Sequence, residues 1–188
     1  MGKKKKILIF GSTGGLGQEI VKLLNIDKFK LYLFSSKKLN FSKKNFIRKI
    51  NYFLKNINPD IIINAAGIFG NNSVPFNKIF TINVMPSWEI IRYYLKNKPS
   101  KKKLIIFIGS TAYLGGRKNY ILYSASKAAL NSIYLGAKEN FSLKKINLTI
   151  IHPKRMETKM TKNIIFIAKS HKPIYFARKI LNCINKNT

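Results

Sequence analysis

Ile7-Leu8-Ile9-Phe10-Gly11-Ser12-Thr13-Gly14-Gly15-Leu16-Gly17 carries four consecutive apolar residues straight into a turn containing four glycines. An unbroken apolar run ended by glycine predicts a strand buried on both faces, rather than one that alternates between core and water. Behind the turn, Ile20, Val21, Leu23 and Leu24 fall at helical spacing, so residues 18–24 are predicted as a helix. Strand, glycine turn and helix in that order make a cradle for phosphate. The glycines admit a tight bend and a close approach of backbone to ligand, and the helix N-terminus supplies unpaired N–H groups and positive partial charge. Gly11, Ser12, Thr13, Gly14, Gly15, Leu16 and Gly17 are therefore the predicted contacts of a dinucleotide.

The same alternation continues along the chain. Residues 31–34, 61–63, 104–108 and 148–151 are short apolar runs, while residues 46–54, 88–95, 124–141 and 173–184 read as helices, with Pro59 breaking the chain after the first of these. Strands apolar on both faces and separated by helices specify a parallel sheet covered on both sides. The predicted fold class is α/β, a doubly wound parallel sheet (Rossmann fold) forming a single domain over residues 1–188. In such sheets ligands bind outside the carboxyl ends of the strands. Gly11, the run Asn64-Ala65-Ala66-Gly67, Ser110 and Pro153 all fall at those ends, so four separate segments meet on one rim.

Composition narrows the partners. The 188 residues include 36 Lys plus Arg against 6 Asp plus Glu, a formal net charge of +30. Such a charge attracts phosphate-bearing and acidic partners. The lysines are spread along the whole chain without an Arg-rich arm or a basic-aromatic repeat, so no sequence-specific nucleic-acid reader is expected and most of the charge is read as solvated surface. The single cysteine, Cys183, excludes an internal disulfide, and His152 and His171 are too few to suggest a metal. Residues 1–6 are basic, but the apolar run behind them is far shorter than a secretory h-region, and no stretch approaches the ~20 apolar residues of a spanning helix. A cytoplasmic protein with no membrane span is expected.

Acid–base chemistry is concentrated in Tyr123-Ser124-Ala125-Ser126-Lys127. Positions i and i+4 share a helix face, so the Lys127 ammonium is expected beside the Tyr123 phenol. A phenol near its ordinary pKa of ~10 is a poor proton donor or acceptor at neutral pH, and an adjacent cation draws it down by favouring the phenolate. Y-x-x-x-K recurs at Tyr94/Lys98, Tyr134/Lys138 and Tyr175/Lys179, but only Tyr123 has a strand-terminal serine, Ser110, 13 residues upstream.

With these motifs in place the chain resembles the short-chain dehydrogenase/reductase family over residues 7–158. Gly11, Gly15 and Gly17 match its G-x-x-x-G-x-G, and Asn64-Ala65-Ala66-Gly67 its N-x-A-G. Asn83, 27 residues before Ser110, matches its active-site asparagine, and Pro153 with Thr158 its P-G-x-x-x-T element. The resemblance implies hydride transfer between a nicotinamide and a carbonyl or alcohol carbon of a small-molecule substrate. It implies that Tyr123 exchanges the hydroxyl proton and Ser110 hydrogen-bonds the substrate oxygen. Lys127 would hold the nicotinamide ribose while lowering the Tyr123 pKa, and Asn83 would support a water-linked proton path to Lys127. Asn64, Ala65, Ala66, Gly67, Pro153, Met156 and Thr158 are the further cofactor contacts it implies, and a homodimer is the expected assembly.

About 20 positions beyond the glycine turn, a unit selective for NAD carries a carboxylate on the ribose hydroxyls. Counting from Gly17 reaches Lys37, flanked by Ser35, Ser36 and Lys38 with Asn40 close behind, and none of these is acidic. Hydroxyl and ammonium groups suit a 2′-phosphate, so NADP(H) is expected to be preferred over NAD(H), with Ser35, Ser36 and Lys37 as contacts.

The chain also departs from the family pattern. Lys154 stands where glycine follows the proline, which puts a cation near the nicotinamide and suits an anionic substrate. Leu39-Asn40-Phe41-Ser42 resembles the abbreviated third strand of dehydrorhamnose-reductase-like members, as does Pro59-Asp60-Ile61 ahead of Asn64. Beyond Thr158 only the helix at 173–184 is predicted, so the fold is expected to be shortened at its C-terminus, without the family's last strand and much of its substrate-covering loop. The leading function is an NADP(H)-dependent reductase of a ketone or aldehyde, extending to phosphorylated or sugar-like ones. The alternative is a non-catalytic dinucleotide-binding sensor or scaffold.

Overall fold

A computed structural model describes residues 3–141, 145–161 and 170–187. Five strands, β1 (Lys5–Phe10), β2 (Phe29–Phe34), β3 (Ile61–Asn64), β4 (Lys103–Ile108) and β5 (Ile146–Ile151), form one parallel sheet in the order β2-β1-β3-β4-β5. The helices are α1 (Gly15–Leu23), α2 (Phe46–Ile57), α3 (Phe76–Asn83), α4 (Met85–Lys96), α5 (Ile121–Phe141) and α6 (Pro173–Asn185).

Because successive strand residues point to opposite faces, each apolar strand feeds two cores. Leu8, Phe10, Ile62, Ile105 and Phe107 pack with α2, α4 and α5. Ile7, Ile9, Ile63 and Ile106 pack with α1 and α6 on the other face. All six residues of β4 are buried, which is why its sequence shows no alternation. The expected doubly wound α/β sheet is the observed architecture. The sheet reverses direction of growth at β1, whose two neighbours are β2 and β3. That reversal opens a crevice at the carboxyl ends, directly above the glycine turn.

The start of the sheet is fastened to helix α2 by lysines. Asn58 ends the helix in the left-handed conformation, at φ 47°. Lys6 Nζ donates to the Ile57 carbonyl at 2.8 Å, and the buried Lys103 Nζ donates to Asn58 Oδ1 at 2.7 Å and the Pro59 carbonyl at 2.8 Å. Cations suit a helix C-terminus, where carbonyl groups lack intrahelical partners.

Two differences from the sequence reading concern the segments around the rim. Helix α3 was not expected, because it has only eight residues and is separated from α4 by Val84, at φ −117°. The segment from Leu39 to Ser42 is not a strand. Leu39 and Phe41 are buried as strand residues would be, but Lys38 and Leu39 both donate their N–H to the Ser35 carbonyl, and Asn40 Oδ1 takes the Ser42 N–H at 2.8 Å. Those local bonds turn the chain and leave β2 at the sheet edge. Among the described residues no strand follows β5, and residues 162–169, within the expected covering loop, lie outside the described set.

Candidate active site

Strand β1 delivers Gly11 to the rim at φ +77°, a conformation glycine adopts without strain. The turn is folded so tightly that side chains are excluded by contact as well. A Cβ on Gly11 would lie 2.6 Å from the Ala66 nitrogen, and one on Gly17 would lie 2.1 Å from the Gly11 carbonyl oxygen. A Cβ on Gly15 would reach 2.8 Å from Thr158 Cγ2. The P-x-x-x-x-T segment after β5 therefore crosses directly over the start of α1. It is held there by pairing across Met156 and His171, with the His171 N–H on the Arg155 carbonyl at 2.8 Å and the Glu157 N–H on the His171 carbonyl at 3.0 Å.

A cavity of about 470 Å³ joins this cradle to the tyrosine motif. Gly11, Thr13, Gly14, Gly15 and Leu16 line it together with Ser35, Ser36 and Asn40. Ala65, Ala66 and Gly67, then Tyr123 and Lys127, and finally Met156 and Thr158 complete the wall among the predicted residues. The structure thus brings most of the sequence-derived site to one space. A glycine cradle at a helix N-terminus, opening into a cavity that reaches a phenol and an ammonium, fits a nicotinamide dinucleotide.

The remaining predicted residues do not line this cavity. Gly17 is buried inside the turn, and Ser12 faces a neighbouring groove with Thr13, Lys22, Ser35 and Lys38. Lys37 is exposed and lines neither space, whereas Lys38 lines the groove. Asn64 is buried and pins the β3 end, its Nδ2 donating to Ser87 Oγ at 2.8 Å and its Oδ1 accepting from the Ala66 N–H at 3.2 Å. Pro153 is buried and accepts from the Thr111 N–H at 3.1 Å, while the Lys154 side chain beside it is exposed. Ser110 Oγ accepts from the Ala112 N–H at 3.1 Å and caps the short 3-10 turn that follows β4.

Asn83 ends α3 fully buried, with its amide occupied on both sides. Its Oδ1 accepts from the Ile68 N–H at 2.8 Å, and its Nδ2 donates to the Ile68 carbonyl and to Ser126 Oγ, each at 3.0 Å. Ser126 Oγ in turn donates to the Tyr123 carbonyl at 2.7 Å. Asn83 therefore clamps the loop after β3 to the second turn of α5.

Electrostatics differ from the sequence expectation in one respect. Burial, rather than the neighbouring lysine, dominates Tyr123 and raises its pKa above the ordinary phenol value. Hydrogen bonding by the Ser110 side chain and the charge of Arg117 pull it back. Lys127 lies with Nζ 5.8 Å from the Tyr123 ring centroid and donates to the Ile108 carbonyl at 3.1 Å. Its ammonium is itself pushed down to about 8 by burial. A buried cation short of partners loses part of its charge before it can lend it to a neighbour. His152, at the end of β5, stacks on Tyr113 with ring centroids 4.2 Å apart, and burial holds its pKa below the usual imidazole value.

Sequence reasoning missed Phe69, Tyr120 and Arg117. Phe69 lies two residues beyond the N-x-A-G segment, so its place at the same rim was readable, but its ring contacts with Tyr120 and Tyr123 join segments about fifty residues apart in the chain.

The model of the short chain dehydrogenase family matches residues 42–165, and that of the RmlD substrate binding domain matches residues 5–69. The 3-oxoacyl-[acyl-carrier-protein] reductase FabG of Buchnera aphidicola subsp. Schizaphis graminum is 28% identical, with 97% of this chain and 88% of that protein covered. Among solved structures, a short chain dehydrogenase family protein from Francisella tularensis is 17% identical and superposes with a TM-score of 0.76, covering 95% of this chain and 90% of that one. BdcA in complex with NADPH is 19% identical with a TM-score of 0.78, covering 94% and 85%. At these identities the structural likenesses concern the fold.

Proposed function

The chain belongs to the short-chain dehydrogenase/reductase family of NAD(P)-dependent oxidoreductases, and we propose that it is an NADP(H)-dependent reductase of a ketone or aldehyde. The observation that carries this reading is that Tyr123 and Lys127 line the same cavity as the glycine turn. The cofactor supplies the hydride. Tyr123 is the group that gives its hydroxyl proton to the substrate oxygen, and Ser110 is the second hydroxyl at that oxygen. Lys127, held by the Ile108 carbonyl at 3.1 Å, holds the nicotinamide ribose, and Asn83 fixes the loop and helix on which the set depends. Domain limits of 1–188 go with this reading, the whole chain serving one cofactor site.

Preference for NADP(H) is supported by the absence of any carboxylate at Ser35, Ser36, Lys37 and Lys38 and by the groove beside the glycine turn. Lys38 and Lys22 line that groove with Ser12, Thr13 and Ser35, a set suited to a phosphate. The first substrates to test are 3-oxoacyl thioesters, because the FabG relative is named for them, followed by phosphorylated and sugar-like ketones. The test is a titration of NADPH and NADH, then a carbonyl screen read by loss of reduced-nicotinamide absorbance. Turnover with NADPH supports the proposal. Tight cofactor binding without turnover on any carbonyl class favours a dinucleotide sensor instead, and failure to bind either cofactor overturns both.

A further inference from the structure

The loop that leaves β3 does more than pass the cavity. Its backbone is fixed at Ile68 by both arms of the Asn83 amide. One residue on, the Phe69 ring stands against Tyr123 with centroids 4.6 Å apart and planes at 64°, and against Tyr120 at 4.5 Å. Three residues further, Asn72 reaches the start of α5 from outside the helix. Its Oδ1 accepts the Ile121 N–H at 3.0 Å, and its Nδ2 donates to the Lys118 carbonyl at 2.9 Å. The Ile121 N–H belongs to the first turn of α5, where backbone donors have no intrahelical partner, so Asn72 acts as a cap supplied by a distant segment. Two residues later comes Tyr123. The loop thus grips the tyrosine through its ring and its helix through the first turn.

We propose that Phe69, anchored by Asn83 and Asn72, is a positioning residue that holds the Tyr123 phenol in its working orientation and shields it from water. This rests on the reading of Tyr123 as the proton donor. An edge-to-face contact at this distance restricts the ring to one orientation, and a shift of about 1 Å at a reacting group costs on the order of a hundredfold in rate. The same ring forms part of the low-dielectric wall around the phenol. Burial is the largest influence on Tyr123 and acts upward, so opening that wall lowers its pKa toward the ordinary value. The other groups bearing on Tyr123 are Ser110 after β4, Arg117 in the loop before α5 and Lys127 on α5 itself, with His152 just after β5 bearing on Ser110 and Lys127. None of them is altered by a change at Phe69.

The experiment compares Phe69→Ala and Phe69→Leu, each alone and combined with Tyr123→Phe. The tyrosinate absorbance difference within each pair isolates the Tyr123 titration among nine tyrosines and needs no substrate. In Phe69→Ala the Tyr123 step moves to lower pH than in the parent, or appears where the parent shows none. In Phe69→Leu, which keeps apolar bulk, it stays near the parent position. On an identified substrate, Phe69→Ala lowers kcat roughly tenfold to a hundredfold with unchanged cofactor Kd. Asn72→Ala lowers it less, and gives an independent reading should Phe69→Ala not fold. Superimposable titrations of Phe69→Ala and parent overturn the shielding role. An unchanged kcat in both Phe69→Ala and Asn72→Ala overturns the positioning role. A protein with no carbonyl turnover fails the reductase reading, and the titration still decides whether Phe69 governs the phenol.

Discussion

At the glycine turn the cavity wall is made of backbone, and at Tyr123 it is made of side chains. A single added carbon at Gly17 would lie 2.1 Å from a carbonyl oxygen, and at Gly11 2.6 Å from an amide nitrogen. At the other end, Asn83, Ser126, Phe69 and Asn72 surround Tyr123 with contacts that a truncation would remove. The turn should therefore be broken by adding atoms, and the tyrosine end by removing them. Shape governs one end, while proton placement governs the other.

The largest effect is expected from removing one oxygen. Tyr123→Phe keeps the ring and its packing and should lower turnover ~100-fold to ~10,000-fold while leaving cofactor affinity intact. Lys127→Ala should be worse, because it loses the ribose contact as well. Single-turnover kinetics and a cofactor titration on both variants check this, and undiminished turnover in Tyr123→Phe removes the residue from its role.

At the backbone end, Gly17→Ala should cost about 3 kcal/mol through forced displacement of the turn, lowering Tm by roughly 6 to 12 °C and abolishing cofactor binding. Gly14→Ala sharpens the comparison. Its Cβ would meet only the Gly11 oxygen at 3.4 Å and its φ is −70°, so it should fold with a Tm near that of the parent. Equal loss of Tm in the two alanine variants would mean that the close contact at Gly17 is not what sets the stability of the turn.

Between the two ends lies the choice of cofactor. Lys38→Asp should weaken NADPH binding by roughly tenfold to a hundredfold while sparing NADH, since a charged hydrogen bond to the 2′-phosphate is exchanged for repulsion. Lys37→Asp, at a residue that lines neither space, should act less. The reverse order of the two variants, measured as paired dissociation constants, returns the contact to Lys37.

The smallest effect is on stability. The Lys127 pKa, about 8, is depressed below its unfolded value of ~10.4. Between those values the unfolded chain binds the proton and the folded one does not, so the contribution of Lys127 to stability rises with pH across that window. Below pH 8 both forms are protonated and the full cost of burying the ammonium is present. Lys127→Met should thus compare most favourably with the parent at pH 7 and lose that advantage as pH climbs from 8 to 10.5. Denaturant unfolding at a series of pH values checks the sign, and a constant difference contradicts it.

Much of this was legible before any coordinates. Short apolar runs such as 7–10 and 61–63 announce buried parallel strands because both faces need the same residues. The glycine spacing announces a turn because backbone shape is written in single residues. What stayed hidden depends on contacts between remote segments. Helix α3 is too short and too interrupted by Asn77 and Lys78 to stand out, and Val84 separates it from α4. Leu39 and Phe41 have strand-like burial without a strand, since Asn40 satisfies a backbone group locally. The i, i+4 spacing of Tyr123 and Lys127 puts them on one helix, but burial of both reverses the shift expected of the phenol. Neither Phe69 nor Asn72 carries any local mark of its partners.

The lysine clamp at the foot of helix α2 makes a reporter of opening. Lys103 is buried against Asn58 and Pro59, and burial lowers its pKa, so a larger share of it is free amine than for a surface lysine, yet it is out of reach of reagent. An acylating probe should modify the exposed lysines at once and reach Lys103 only when its bonds to Asn58 and Pro59 open. The slow labelling of that amine is then a clock for opening at the foot of α2, read by peptide mass within a chain whose many exposed lysines supply the fast reference.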